Sequence, residues 1–182
     1  MSSEGSTVAG PCRVILVGMM GSGKSTIGRL LSEATGWPYV DNDDLVRESN
    51  GATSRQLLAE RGEAAMRAAE AAALERGLEV PAPAVIGIAA GTILDPTSRK
   101  RLGAGGIVVW LRADAETLAA RASGGEHRPW IDASGKSWFV DAVQERDPLY
   151  ASVADIVVDA SDHPATLAEE LRYRLTEHQA CT

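Results

Sequence analysis

The sequence predicts an α/β fold in which a central parallel sheet of about five strands is covered by helices on both faces. Short apolar, β-branched segments alternate with helical ones along the chain. The first of them, residues 14–17, is apolar throughout and ends at Gly18, as suits a strand buried on both faces. With 45% apolar residues, the 182-residue chain can fill one core, so we predict a single domain at residues 13–178.

Five strands are predicted, at residues 14–17, 38–40, 84–88, 107–111 and 156–158. The first should be the central strand. Apolar residues then recur at helical spacing from Ile27 to Ala34, and Gly36 ends that helix. Residues 45–77 are rich in helix-forming residues but interrupted at Gly51 and Gly62, which predicts two or three helices.

The second half of the chain continues the alternation. Asp95 and Pro96 start a short helix as its cap and first-turn proline. Further helices are predicted at residues 114–122, 136–154 and 164–178. Residues 123–135 lack an apolar period and contain Gly124 and Gly125, which indicates an exposed loop able to move.

Composition and charge exclude several functions. A net charge of −7 argues against nucleic acid as a partner, because basic surfaces bind phosphate backbones. No apolar run approaches the roughly eighteen residues of a membrane span. Residues 1–12 lack the basic and apolar regions of a signal peptide, so we expect a disordered leader. Cys12 and Cys181, near opposite ends, predict neither a metal site nor a disulfide framework. We expect a cytoplasmic protein and a monomer.

Residues 18–25 match the phosphate-loop pattern G-x-x-x-x-G-K-[ST] completely. Glycines let successive amides turn inward around phosphate, and the helix beginning near Lys24 adds the positive end of its dipole. Lys24 should reach the β- and γ-phosphates, and the Ser25 hydroxyl should bind Mg²⁺. The predicted ATP ligands here are Gly21, Ser22, Gly23, Lys24, Ser25 and Thr26. A turn that binds nothing is the alternative, but the flanking strand and helix are the context that the motif requires.

Two aspartates follow the second strand beside this loop. A magnesium–phosphate site needs a carboxylate, and ligands of open α/β sheets bind at the carboxyl ends of the strands. Asp41 and Asp43 lie at such an end. These aspartates could instead merely cap the helix that begins near Asp44.

Motifs beyond the loop carry a resemblance to a known family. They are Asp41-Asn42-Asp43, residues 62–70 (GEAAMRAAE), Arg128-Pro129 and residues 146–150 (RDPLY). Together with the loop, in this order and spacing over about residues 13–171, they resemble the shikimate kinases. The resemblance implies a P-loop kinase fold of three layers, with substrate-binding helices at about 42–76 and a mobile lid at about 122–136.

The resemblance also implies roles for individual residues. Asp41 resembles the magnesium-side aspartate, and Asp43 the aspartate that holds the ring hydroxyls and accepts the proton of the attacking one. Arg67 and Arg146 resemble the two arginines that bind the substrate carboxylate, a role that suits the planar fork of a guanidinium. Either arginine could instead be a solvated surface charge, and Arg67 an i,i+3 partner of Glu70.

The resemblance also assigns roles to two further arginines, one in the lid and one just before it. Arg128 resembles the lid arginine that swings over the transferring phosphate, where closure also expels water. Arg121 is the candidate for the arginine on the adenine side. The predicted catalytic residues are thus Lys24, Asp43 and Arg128.

The sequence departs from the family pattern in two places. Met66 replaces the usual aromatic residue before Arg67, and Ala89-Ala90-Gly91 replaces three consecutive glycines. In the family the amide of the middle glycine contacts the substrate, so Ala90 and Gly91 are predicted to line the substrate site. The methyl group of Ala90 could narrow the pocket or restrict the turn.

The implied function is ATP-dependent phosphorylation of shikimate to shikimate 3-phosphate with Mg²⁺, a step of chorismate and aromatic amino-acid biosynthesis. Ala89-Ala90 motivates one alternative, a related kinase of another small polyol or sugar acid such as gluconate. A nucleoside monophosphate kinase is another. A third is a catalytically weak nucleotide-binding protein. The retention of Lys24, Ser25, Asp43 and Arg128 argues against it.

Overall fold

A computed structural model describes residues 12–123 and 129–177. Its strands are β1 (Arg13–Val17), β2 (Tyr39–Asp41), β3 (Ala84–Gly87), β4 (Ile107–Arg112) and β5 (Ile156–Asp159). They form one sheet in the order β2-β3-β1-β4-β5, and all four neighbouring pairs are parallel. The predicted parallel sheet, with the first strand at its centre, is therefore confirmed.

Helices cover both faces of this sheet. They are α1 (Lys24–Thr35), α2 (Asn42–Asn50), α3 (Ser54–Glu79), α4 (Pro96–Gly105), α5 (Ala115–Ser123), α6 (Pro129–Ala151) and α7 (Pro164–Glu177). Successive side chains of a strand point to opposite faces, and residues 14–17 of β1 are all buried, so neither face is open there. Within the two described ranges, no helix is both long and apolar enough to cross a membrane.

The predicted helix interruptions are confirmed. Gly36 and Gly51 follow the last residues of α1 and α2, and each donates its N–H to a carbonyl of the last turn. Gly62 bends α3 with φ 83° and ψ 174°. These breaks orient the pair α2 and α3 at the β2 end of the sheet.

The core has two parts. The main cluster surrounds β1, β3 and β4, and a smaller one lies between α2 and α3. The smaller cluster comprises Leu45, Val46, Ala52, Leu57, Met66 and Ala73. Met66, at the position where the family has an aromatic residue, is thus a packing residue of the second core.

The prediction of a loop at residues 123–135 is wrong for residues 129–135. Helix α6 begins at Pro129 and not near Lys136. Proline is favoured at a first helical position, and a single interior glycine such as Gly135 costs only about 1 kcal/mol relative to alanine. Residues 124–128, including Arg128, lie outside the described residues, so the mobile lid stays a prediction.

Cys12 also differs from expectation. It packs against the main core just before β1 and is disulfide-bonded, so the expected absence of disulfides is wrong. Cys181, the other cysteine of the chain, lies outside the described residues, as do residues 1–11 of the predicted leader.

Candidate active site

The phosphate loop connects β1 to α1, and glycines fix its path. Gly18, Gly21 and Gly23 have φ angles of 147°, 84° and 90°, which side-chain-bearing residues rarely adopt. A Cβ atom on Gly18 would overlap the carbonyl oxygen of Leu111, and one on Gly21 that of Leu118. The backbone of β4 and that of α5 therefore close against the loop and leave no room for side chains at Gly18 and Gly21.

Lys24 is the first residue of α1, and its ammonium group lies against the loop. Its Nζ donates to the carbonyls of Gly18 at 2.8 Å and Met19 at 3.1 Å. The positive charge is thereby held beside the backbone that the motif assigns to phosphate. Ser22 turns inward: its N–H donates to the Met19 carbonyl, and its buried hydroxyl has no hydrogen-bond partner among the described residues.

Ser25 and the two aspartates meet at the ends of α1 and β2. The Ser25 hydroxyl donates to Asp41 Oδ2 at 2.8 Å, and the same oxygen accepts a 2.8 Å bond from the Tyr39 hydroxyl. Asp41 Oδ1 accepts the backbone N–H of Asp43, so Asp41 is the N-cap of α2. Of the two aspartates considered as caps, Asp41 therefore has that role, and Asp43 is exposed in the first turn of α2.

Tyr39 keeps its proton in this arrangement. Burial of the phenol, followed by the nearby negative charge of Asp41, raises the pKa of Tyr39. The hydroxyl therefore donates to the carboxylate over the physiological pH range.

Arg67 projects from α3 between two glutamates. Its Nη1 lies 2.9 Å from Glu70 Oε2, and its Nη2 lies 3.2 Å from Glu63 Oε1. The i,i+3 pairing with Glu70 is therefore present. A Cβ atom on Gly91 would overlap the Arg67 guanidinium, so the arginine also reaches the turn after β3. Arg67 therefore faces this turn while it is paired with Glu63 and Glu70 of its own helix.

Glu70 is buried, with 6% of the residue exposed, and lies near charged residues of three helices. Burial is the main cause that raises the pKa of Glu70, and the charge of Arg67 and its hydrogen bond oppose that rise. Asp43 adds to the rise, and Arg146 opposes it. One carboxylate therefore lies within electrostatic reach of all three charged residues predicted to bind the substrate, Asp43, Arg67 and Arg146.

Arg146 is a buried cation whose hydrogen bonds are incomplete. The residue is 8% exposed, and its guanidinium lies over the Trp138 ring at 5.6 Å from the centroid. Nη1 contacts Met19 Sδ at 3.9 Å, a weak acceptor in the phosphate loop. The Glu145 carboxylate is 3.9 Å from Nε, too far for a hydrogen bond, and Nε has no partner among the described residues. Such a group favours an incoming anion.

Ala89 to Thr92 form a tight turn after β3. The Thr92 N–H donates to the Ala89 carbonyl at 3.1 Å, and Gly91 has φ −82° and ψ −18°. These dihedral angles suit the third position of a type I turn, which accepts alanine at its second position. The turn therefore forms with Ala90 in place of glycine. A glycine is needed at position 91 because a side chain there would occupy the space of Arg67, and not because the backbone angles of Gly91 require it.

Arg121 lies in the last turn of α5. Its Nη1 and Nη2 donate to the carbonyls of Ala160 and Ser161, at 2.5 Å and 3.2 Å, in the segment between β5 and α7. The structure thus places Arg121 at the carboxyl end of β5, apart from Arg67 and Arg146.

Two clefts open near the carboxyl ends of the strands. One of ≈ 380 Å³ is lined by Glu63, Arg67, Glu70 and Gly91 and adjoins the start of α4. The other, of ≈ 430 Å³, lies between the ends of β4 and β5 and α6, and none of the predicted site residues lines it. The smaller cleft is the one that belongs to the predicted substrate side.

Comparisons with known proteins identify the family. The family model described as "Shikimate kinase" matches residues 20–176. The shikimate kinase of Paramagnetospirillum magneticum is 39% identical over 82% of this chain and 76% of its own length. This chain belongs to the shikimate kinase family. The resemblance inferred from the motifs is confirmed.

Solved structures agree with the family assignment. A shikimate kinase from Acinetobacter baumannii in complex with shikimate has a TM-score of 0.86 and 27% identity, over 93% of this chain and 96% of that one. A gluconokinase from Sinorhizobium meliloti, at TM-score 0.56 and 22% identity, over 90% of this chain and 97% of that one, shares the fold alone. The predicted P-loop kinase fold is therefore confirmed.

Two tyrosines of this shikimate kinase family member were not predicted as site residues. Tyr39 precedes Asp41 by two positions on a strand, a spacing that places both side chains on one face of the sheet. Tyr150 ends the RDPLY motif, and its hydroxyl donates to the Ala90 carbonyl at 2.9 Å. The strand spacing could have indicated Tyr39, but nothing local in the sequence indicates the partner of Tyr150.

Proposed function

We propose that this chain transfers the γ-phosphoryl group of ATP to a hydroxyl group of shikimate, giving shikimate 3-phosphate and ADP. One observation carries the proposal: Arg67 reaches the turn after β3, Arg146 contacts Met19 of the phosphate loop, and both charges act on the buried Glu70. Two such cations, one of them against the phosphate loop, suit a substrate with its own carboxylate. Arg146 in particular lacks a hydrogen-bonded carboxylate among the described residues.

ATP is bound by the loop between β1 and α1 in this proposal. The amides near Gly21 and Gly23 and the positive end of the α1 dipole face the phosphates. Lys24 exchanges its bonds to the Gly18 and Met19 carbonyls for phosphate oxygens. Because phosphoryl transfer needs little covalent help from the protein, these groups act by positioning and by stabilising charge.

Mg²⁺ fits the residues at the ends of α1 and β2. The Ser25 hydroxyl donates its hydrogen to Asp41, which leaves its oxygen lone pairs for a hard cation. The described residues contain no cluster of three or more His, Cys, Asp or Glu that would bind a metal unaided. We therefore propose that Ser25 and Asp41 hold Mg²⁺ that arrives with the nucleotide phosphates. Bound there, the ion would neutralise charge on the phosphate oxygens.

Asp43 is proposed to orient the substrate. It lies exposed in the first turn of α2 and within electrostatic reach of Glu70. The hydroxyl oxygen attacks the γ-phosphorus, the bond to the β,γ-bridging oxygen breaks, and Asp43 accepts the hydroxyl proton before it passes to solvent. We also propose that Arg121 serves the adenine side and that Arg128 closes over the phosphates.

A cytoplasmic monomer is proposed for this enzyme, as suits a biosynthetic kinase that draws on the ATP pool. The disulfide at Cys12 stands against the location, because disulfides are rare in reducing compartments. Trapping thiols with an alkylating reagent at cell lysis, followed by intact-mass measurement, decides whether that bond exists in the cell.

Ala89 and Ala90 favour a second candidate, a kinase of another hydroxylated acid such as gluconate. An assay coupled to ADP release separates the candidates when shikimate, gluconate, other cyclitols and nucleoside monophosphates are compared, each with Mg²⁺ and with EDTA. We expect kcat/KM for shikimate above about 10⁴ M⁻¹s⁻¹, within the ordinary enzyme range. Turnover of another acid without turnover of shikimate would transfer the proposal to that acid. Nucleotide binding without any turnover would favour a protein that has lost catalysis.

A further inference from the structure

Tyr39 is built into the edge of the nucleotide site. Its hydroxyl donates to Asp41 Oδ2 at 2.8 Å, and that oxygen also accepts the Ser25 hydroxyl at 2.8 Å. One carboxylate oxygen therefore joins a residue of the phosphate loop, from α1, to a phenol on β2. The second oxygen, Oδ1, is held by the N–H of Asp43. All three bonds together fix the plane of the carboxylate.

Glycines on two other elements make room for the phenol. A Cβ atom on Gly28 of α1 would overlap the Tyr39 ring, and one on Gly87 of β3 would overlap its hydroxyl. Gly87 is the register partner of Asp41, so the slot lies directly beside the carboxylate. Neither glycine has a positive φ among the described residues, so space, and not backbone conformation, accounts for them. The tyrosine is thereby confined to one position.

We propose that Tyr39 is a positioning residue for Mg²⁺: its hydroxyl orients the Asp41 carboxylate so that Ser25 and Asp41 together receive the ion. This inference rests on the proposed function for its metal, but not on shikimate as the substrate. Outer hydrogen-bond partners of metal-binding carboxylates typically change metal affinity about 10- to 100-fold when removed. Tyr39 has the place and the donor of such a partner.

Tyr39→Phe tests the proposal because it removes one oxygen and leaves the ring in its glycine slot. The dissociation constant of ADP is measured by calorimetry with Mg²⁺ and again in EDTA, and Mn²⁺ binding in the presence of ADP is followed by electron paramagnetic resonance. We expect about tenfold weaker binding of Mn²⁺ and of ADP with Mg²⁺. ADP affinity in EDTA and the KM for shikimate should be unchanged. Tyr173→Phe, the same change at a residue 62% exposed on α7, should alter none of these values.

A double-mutant cycle with Asp41→Asn shows whether Tyr39 acts through Asp41. The metal-dependent effect of Tyr39→Phe should vanish in the Asp41→Asn background, because the carboxylate to be oriented is gone. The proposal would be overturned if Tyr39→Phe bound Mn²⁺, and ADP with Mg²⁺, within twofold of the parent. It would also be overturned if ADP binding in EDTA weakened as much as ADP binding with Mg²⁺, because that result would indicate a distorted loop. A parent that binds Mg²⁺ and ADP but does not phosphorylate shikimate would refute the proposed substrate while leaving the role of Tyr39 intact.

Discussion

The buried hydroxyl of Tyr150 donates a 2.9 Å hydrogen bond to the backbone carbonyl of Ala90. Tyr150 is 1% exposed and stacks on Trp110 with ring centroids 5.7 Å apart, so it has little freedom to move. Burial raises the pKa of its phenol, which keeps the donor protonated. The last turns of α6, which also carry Arg146, are thereby tied to the turn that replaces the family's three glycines.

Tyr150→Phe is expected to loosen this turn. The Ala90 carbonyl loses its buried donor, which typically costs about 1–3 kcal/mol of the free energy of unfolding. The KM for shikimate should rise, because Ala90 and Gly91 of the turn are predicted to line the substrate site, while the KM for ATP should stay near the parent value. Denaturant unfolding and steady-state kinetics measure the two effects. Unchanged stability and an unchanged shikimate KM would show that the bond does not hold the turn.

Gly91→Ala should act through Arg67. Since Gly91 has an ordinary φ of −82°, the added methyl causes no backbone strain, but it occupies the place of the guanidinium. Displacing that group removes charge-assisted hydrogen bonds worth roughly 1.5–3 kcal/mol, so kcat/KM for shikimate should fall by about tenfold or more. Gly103→Ala, on α4 with nothing within 4 Å of its Cβ, is the matched control and should keep full activity.

Ala90→Gly is the counterpart in the same turn. It should leave kcat/KM for shikimate unchanged or slightly raised, because the turn already forms with alanine. A large gain would instead mean that the Ala90 methyl obstructs shikimate.

Local patterns in the sequence were sufficient for the sheet, the phosphate loop and the interruptions at Gly51 and Gly62. Strand and helix periods, caps and glycine turns are short-range features, so they can be recognised without the fold. The bond between Tyr150 and Ala90 joins residues sixty positions apart and leaves no such local trace. The reason for Gly91 is likewise visible only once Arg67 is placed in space. The early start of α6 was missed because glycines and a proline resemble a loop.

The methyl ester of shikimate should be a poor substrate if Arg67 and Arg146 bind a carboxylate. The ester keeps the size and the ring hydroxyls but loses the charge. A hydrogen bond to a charged group contributes roughly 1.5–3 kcal/mol, so the KM should rise about tenfold or more with a smaller change in kcat. Comparison of ester and acid by ADP release measures this. Equal KM values would assign the arginines another role.

The cap of α5 predicts a loss of stability in acid. Asp114 accepts the Thr117 N–H at 2.7 Å, and this bond lowers the pKa of its carboxyl below the ordinary 3.8. A lowered pKa gives stability that is present above 3.8 and is lost as the pH falls through the folded-state value. Asp114→Asn should therefore be less stable than the parent at neutral pH, and the difference in Tm should shrink below about pH 4. A constant difference across pH would exclude the charge of Asp114 as its cause.

Lys24→Ala should abolish most phosphoryl transfer while the protein stays folded. The side chain donates to the Gly18 and Met19 carbonyls and belongs to neither hydrophobic cluster, so its removal leaves the packing of β1 and α1 intact. Loss of such a positive group typically costs about 3 kcal/mol of transition-state stabilisation, a hundredfold or more in rate. Lys100→Ala, at an exposed position of α4, removes the same charge away from the loop and should leave kcat unchanged. Circular dichroism and thermal unfolding establish that both variants fold. Parent-like turnover by Lys24→Ala would mean that the loop does not bind the transferred phosphate.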